Sequence, residues 1–186
     1  MTRHFTGIGS RRTPPDIGRL MTAIARTWCD RGWILRSGGA TGADTYFENG
    51  VHYFDHIQPE IYLPWPKFNG KNFGVSEYAS REWHAAEAMA SEIHPNWKAC
   101  SNSVRALHTR NVFQVLGLEL STPSEFVVYW APETADGEVS GGTRTAVMLA
   151  RSHGIPTYNL LWENVRERFE AKIDELSRKN GRSNSN

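Results

Sequence analysis

Three short glycine clusters carry most of the chemical potential of this chain: Gly7-Ile8-Gly9-Ser10-Arg11, Ser37-Gly38-Gly39-Ala40-Thr41-Gly42 and Ser140-Gly141-Gly142-Thr143. A glycine turn that opens a helix leaves backbone N–H groups unpaired at the positive end of the helix dipole, the place where a phosphate binds. Any one of them could be no more than a tight strand-to-helix turn, for which glycine is the natural residue. Three such turns in one chain fit a shared phosphorylated ligand better. The common versions of such a site are absent. Gly7-x-Gly9 has Arg12 where a dinucleotide fingerprint has its third glycine, and Ser37 stands where an acid would grip a ribose. Gly70-Lys71 runs into Asn72, so there is no phosphate loop of the nucleotide-triphosphatase type, and no G-x-S-x-G nucleophile elbow occurs.

Asp44 and Glu48 follow the second cluster at i and i+4, which puts two carboxylates on one face of the helix that the cluster opens. Asp44 could hold a ribose hydroxyl or stabilise an oxocarbenium-like centre during N-glycosidic cleavage. It could equally complement the helix dipole, with Glu48 in solvent. Arg110 and Asn111 stand three and four residues after Leu107, on a helix whose Val104, Leu107 and Val115 are expected to look inward. An inward-facing guanidinium and amide need partners, and a phosphate, a base edge or a buried carboxylate such as Asp44 would serve. Arg11 and Arg144, each inside a glycine cluster, are further phosphate ligands or plain surface charge. His52 and His56 share a helix face without a third ligand, and Cys29 and Cys100 are far apart, so neither a metal site nor any cofactor is expected.

The elements that must position these groups alternate. Strands are expected at His4–Gly7, Trp33–Ser37, Glu60–Leu63, Phe126–Trp130 and Ile155–Tyr158, with helices from Pro14 to Gly32, Ala43 to Tyr53, Ser76 to Ile93, Asn102 to Leu116 and Thr143 to Ser152. Leu161, Val165, Phe169, Ile173 and Leu176 mark a closing amphipathic helix. This order predicts an α/β, Rossmann-like, mostly parallel five-stranded sheet with helices on both faces and a helical and aromatic insertion, about residues 64–100, after the third strand. In a parallel sheet the loops after the first, second and fourth strands emerge at one edge, so the three glycine clusters should converge. Residues 1–178 read as one domain and 179–186 as a disordered polar tail. Trp65, Phe68, Phe73, Trp83 and Trp97 in and after the insertion are expected to form a cap core, with a ring available to stack on a base.

Composition bounds the partners. A net charge of +1 gives no global field to draw the chain onto nucleic acid or anionic lipid, and no apolar run reaches the length of a membrane span. Unpaired cysteines and the absence of a signal-peptide core point to the cytoplasm. Seven tryptophans exceed what one small sheet needs, which predicts an aromatic interface and a homo-oligomer.

Taken together, Thr6–Arg11, Ser37–Asp44 with Glu48, Leu63-Pro64-Trp65, Phe68-Asn69-Gly70, Arg110-Asn111, and Ser140–Thr143 with Thr145 resemble the SLOG superfamily, and most of all its YpsA-type nucleotide-binding members. The resemblance spans about residues 4–160, and the S-G-G-A-x-G-A-D stretch is its most specific part. It implies a nucleotide or nucleotide-derived ligand held by Gly7, Gly9, Ser10, Arg11, Ser37, Gly38, Gly39, Gly42, Arg110, Asn111, Gly141, Gly142, Thr143 and Thr145. The superfamily includes the Lonely guy phosphoribohydrolases, whose P-G-G-x-G-T-x-x-E motif would fall on Ser140 to Met148. Here Ser140, Arg144 and Met148 replace its proline, third glycine and catalytic glutamate. Cleavage of an N-glycosidic or phosphoribosyl bond would then need another acid, Asp44 first and Glu48 second. The alternative is a nucleotide sensor without turnover. DNA-processing protein A, a single-stranded DNA binder, also shares an Arg-Asn pair, but the near-neutral charge argues against a polymer backbone.

Overall fold

The computed structural model describes residues 2–52, 58–71, 75–76, 81–134 and 136–183. Strand β1 (Arg3–Gly9) leads to helix α1 (Pro15–Cys29), β2 (Trp33–Ser37), α2 (Ala43–Glu48), β3 (Glu60–Leu63) and the two-residue β4 (Val75–Ser76). Then come α3 (Trp83–Ile93), α4 (Asn102–Leu116), β5 (Val127–Trp130), α5 (Arg144–Ser152), β6 (Thr157–Asn159) and α6 (Glu163–Ser183). The sheet order is β4-β3-β2-β1-β5-β6, and all five pairings are parallel. The expected five strands are all present. The sixth, β4, extends the sheet beside β3 and is too short to leave a pattern in the sequence.

The α1 stripe explains one face. Proline opens the helix at Pro15, and Ile17, Met21, Ile24 and Ala25 are buried against Phe5, Leu35 and Val128, where α2 and α6 complete the layer. On the other face α3, α4 and α5 cover Ile8, Val127 and Tyr129 with Val112, Phe113, Leu116, Val147 and Ala150. Alternation along β5 sends Val128 to one layer and its neighbours to the other.

Several boundaries move. Helix α2 ends at Glu48, with Asn49 as its cap, short of the expected end at Tyr53, so His52 lies beyond the helix; Tyr53 and His56 lie outside the described residues, as does Phe73. Helix α3 begins at Trp83, and residues 77–80 before it are not described. Helix α6 continues to Ser183, five residues into the segment expected to be a disordered tail; Glu175 accepts from Lys172 (2.7 Å) and Lys179 (2.6 Å), i,i+3 and i,i+4 pairs that favour helix. Among the described residues, the insertion aromatics do not gather into one cap core. Trp83 stacks on Phe113, centroids 6.1 Å apart, Trp65 meets Phe68 edge-on at 5.1 Å, and Trp97 sits against His94. Trp28 and Trp33 fill the opposite end of the sheet around Phe126. No helix among the described residues is long and apolar enough to cross a membrane.

Candidate functional site

The strand order changes direction at β1, which has β2 on one side and β5 on the other, so the loops leaving β1 and β5 diverge and open a crevice at the carboxyl edge. A cavity of about 690 Å³ fills that crevice. The first glycine cluster supplies Gly9, Ser10, Arg11 and Arg12 to its wall; the second supplies Ala40 and, through the helix it opens, Asp44; the third supplies Ser140, Gly141, Gly142 and Thr143. Helix α4 closes it with Val104, Leu107, His108, Arg110, Asn111 and Gln114. The first two loops are bonded to each other through Ala43 N–H, which donates to Ser10 O (3.2 Å), and α4 is bonded to the third through Asn111 Nδ2, which donates to Gly142 O (2.6 Å). Gly42 has to be glycine, since its φ is +83° and an added Cβ would meet the Arg11 backbone at 2.6 Å.

Asp44 lies on the cavity floor, 4% exposed. Ala40 N–H donates to Asp44 Oδ2 at 3.1 Å, and Arg110 Nη1 stands 3.6 Å from the same oxygen, an ion pair rather than a hydrogen bond. Of the partners open to Arg110, the structure therefore contains the carboxylate. Burial pushes the Asp44 carboxyl up to about 6, and neighbouring Glu48 adds to this; Arg110 and the backbone amides of Ala40 and Gly38 pull the other way without cancelling it. Glu48 is buried too and also raised by burial, against the opposing pull of Lys71 Nζ, 2.6 Å from Glu48 Oε2. Glu48 does not line the cavity, so of the two carboxylates only Asp44 is positioned to touch a ligand.

Other residues singled out in the sequence sit behind the wall. Gly7 is inside β1, where a Cβ would strike the Phe47 ring at 2.6 Å. Ser37 Oγ donates to Gly7 O (2.8 Å), and Gly39 O accepts from Asn69 (3.0 Å). Gly38 lies so close to Arg110 that an added Cβ would overlap Nη1. These positions hold the site together from one layer back. Arg144 turns away: its guanidinium pairs with Glu138 (2.9 Å) and donates to Ile93 O (2.8 Å). Among the described residues, neither Arg11 nor Arg12, both exposed at the rim, is in an ion pair. Val104, expected to be inward, is 37% exposed and borders the cavity mouth.

His108 and Gln114 were not singled out in the sequence, yet both line the cavity and are buried. His108 Nδ1 is 2.7 Å from Thr145 Oγ1, which places Thr145 behind the wall as well. Burial pushes the imidazole down to about 4, with the neighbouring His94 and Arg110 charges adding to the effect, so it is neutral at physiological pH. The available signal was periodicity: Gln114 lies four residues after Arg110, on the same face. No group of three or more metal-ligating side chains is assembled among the described residues.

No protein-family model matches the chain, nor does any curated protein. Among solved structures, DNA processing protein A from Helicobacter pylori, described for its single-stranded DNA binding mode, aligns with 93% of this chain and 81% of its own, at 16% identity and a TM-score of 0.40. A likeness of that size transfers no residue's role.

Proposed function

We propose that the cavity binds a nucleotide or nucleotide derivative and that Asp44 promotes cleavage of its N-glycosidic or phosphoribosyl bond. One observation carries the reading: a single ligand-sized cavity lined from all three glycine clusters, with a buried carboxylate on its floor. The phosphate is assigned to Ser10 and Gly141–Thr143, with Arg11 and Arg12 at the rim as counter-charges. The apolar wall of Ile8, Val104, Leu107 and Pro132 suits a base, and the sugar then lies over Asp44. In hydrolysis the bond from the anomeric carbon to nitrogen breaks with its electron pair going to the base, which takes up a proton. Water adds to the carbon and loses one. Ionised Asp44 stabilises the positive charge that develops on the sugar between these events. The SLOG-like motifs point the same way.

A second reading, a nucleotide sensor without turnover, is favoured by a different observation: Asp44 already has Arg110 and a backbone amide as partners within the fold. Incubating the protein with a panel of nucleotides, followed by mass spectrometry for free base and sugar phosphate, separates the two. The enzyme releases both products, and Asp44→Asn keeps binding within about tenfold while abolishing turnover, because the carboxylate acts mainly on the transition state. Binding with no product from any nucleotide establishes the sensor.

A further inference from the structure

The floor of the cavity holds a second polar group that folding leaves unused. Gln114 is 1% exposed and lines the cavity. Its backbone carbonyl accepts from Thr6 Oγ1 (2.6 Å), but its carboxamide makes no hydrogen bond with any described residue. Because it lines the cavity, the carboxamide can bond to water there, and a ligand that displaces that water has to supply the bonds in its place. Its neighbours are defined: Gln114 Nε2 and Arg110 Nη1 both crowd the space where a Gly38 Cβ would lie, and Arg110 Nη1 is 3.6 Å from Asp44 Oδ2. The assigned amide orientation can be reversed without moving the side chain, and the guanidinium favours Oε1 facing Arg110 and the NH₂ facing the cavity.

The floor thus presents a carboxylate that only accepts beside an amide that donates. Two adjacent hydroxyls, each able to give and take a hydrogen bond, match that set, whereas one hydroxyl leaves a member unpaired. We infer that Asp44 and Gln114 form a subsite for a vicinal diol, so that the ligand is a ribonucleotide and its 2′-deoxy counterpart is rejected. The inference rests on the nucleotide reading above and adds the sugar to it. Gln114 is a specificity residue in this account, while the phosphate loops are indifferent to the sugar.

The test is a calorimetric comparison of adenosine, guanosine, cytidine and uridine 5′-monophosphates with their 2′-deoxy forms, on the wild-type protein and on Gln114→Leu and Gln114→Met. The wild type should bind the preferred ribonucleotide about 10- to 100-fold more tightly than the deoxynucleotide, the range for losing one hydrogen bond to a buried polar or charged group. In the variants that ratio should collapse to within about twofold, mainly through weaker ribonucleotide binding. The wild-type comparison alone decides the matter should both variants fail to fold. Equal binding of ribo and deoxy forms by the wild type overturns the diol subsite and leaves nucleotide binding standing. A variant that keeps the sugar ratio but changes the order among the four bases shows that Gln114 reads the base edge and overturns it too. No binding by any of the eight compounds overturns both readings.

Discussion

Replacing Asp44 by Asn should make the protein more stable at neutral pH, and the size of the effect follows from the site. The Asp44 carboxyl rises from 3.8 to about 6 in the fold, so holding it ionised costs the folded state about 3 kcal/mol relative to the protonated form. For an acid raised in the fold the sign is fixed: the cost is absent below about pH 3.8, grows as pH rises through 6, and is complete above it. Asn mimics the protonated acid at every pH. Arg110 faces a neutral partner in both the Asn variant and the protonated wild type, so its lost ion pair is already included. At pH 7.5 the variant should gain up to about 3 kcal/mol, or about 6–12 °C in Tm for a domain of this size. At pH 4 the gain should largely vanish. Thermal and denaturant unfolding of both proteins at several pH values measures this, and the difference between them cancels groups not coupled to Asp44, such as His108. A variant less stable than wild type at pH 7.5 would refute the reasoning, because the Arg110 pair would then more than offset the burial of Asp44. A carboxylate kept at such a cost is the pattern expected of a functional group rather than a structural one.

Gly38→Ala should force Arg110 out of its place, cost about 1–3 kcal/mol as overpacking, and weaken nucleotide binding in calorimetry although residue 38 does not border the cavity. His108, pushed down to about 4, should show no imidazole titration by NMR between pH 5.5 and 8.5, and ligand affinity should carry no inflection from it across that range. Arg144→Ala should leave nucleotide affinity within about twofold, because its guanidinium is committed to Glu138 and the end of α3, and equilibrium titration checks it directly.

The architecture was legible where the physics is local. The continuous apolar run at 126–130, the stripe from Ile17 to Trp28 and the glycine turn that follows β2 are consequences of burial and backbone freedom, and the structure follows them closely. Convergence of the glycine clusters followed from parallel strands alone. Partner choice was not local. Arg110 was correctly placed inward, but its pairing with Asp44 could not be separated from a ligand contact, because it depends on how α4 lies across the second loop. Arg144 looked like a phosphate ligand, since the Glu138 that takes it is presented by a turn closed through the Glu133–Val139 bridge. Gly7 looked like a ligand contact at the end of the His4–Gly7 strand, since nothing in the sequence shows that β1 continues two residues further and that Phe47 needs the space. His108 became visible only with the cavity, and Gln114 had no signal in the sequence beyond its spacing from Arg110.

The central claim is that one mononucleotide-sized ligand occupies the cavity between the three glycine clusters, and calorimetric titration with nucleoside monophosphates, ADP-ribose and cyclic nucleotides tests it most directly. The account predicts saturable binding at one site per chain by at least one of them, accompanied by thermal stabilisation of about 2.7 kcal/mol at 100-fold excess over Kd, and loss of that binding in Gly142→Asp, whose carboxylate would face the phosphate. An absence of binding by every mononucleotide, with oligonucleotides bound instead and released steeply by salt at a log–log slope of about 0.7 per phosphate contacted, would contradict it.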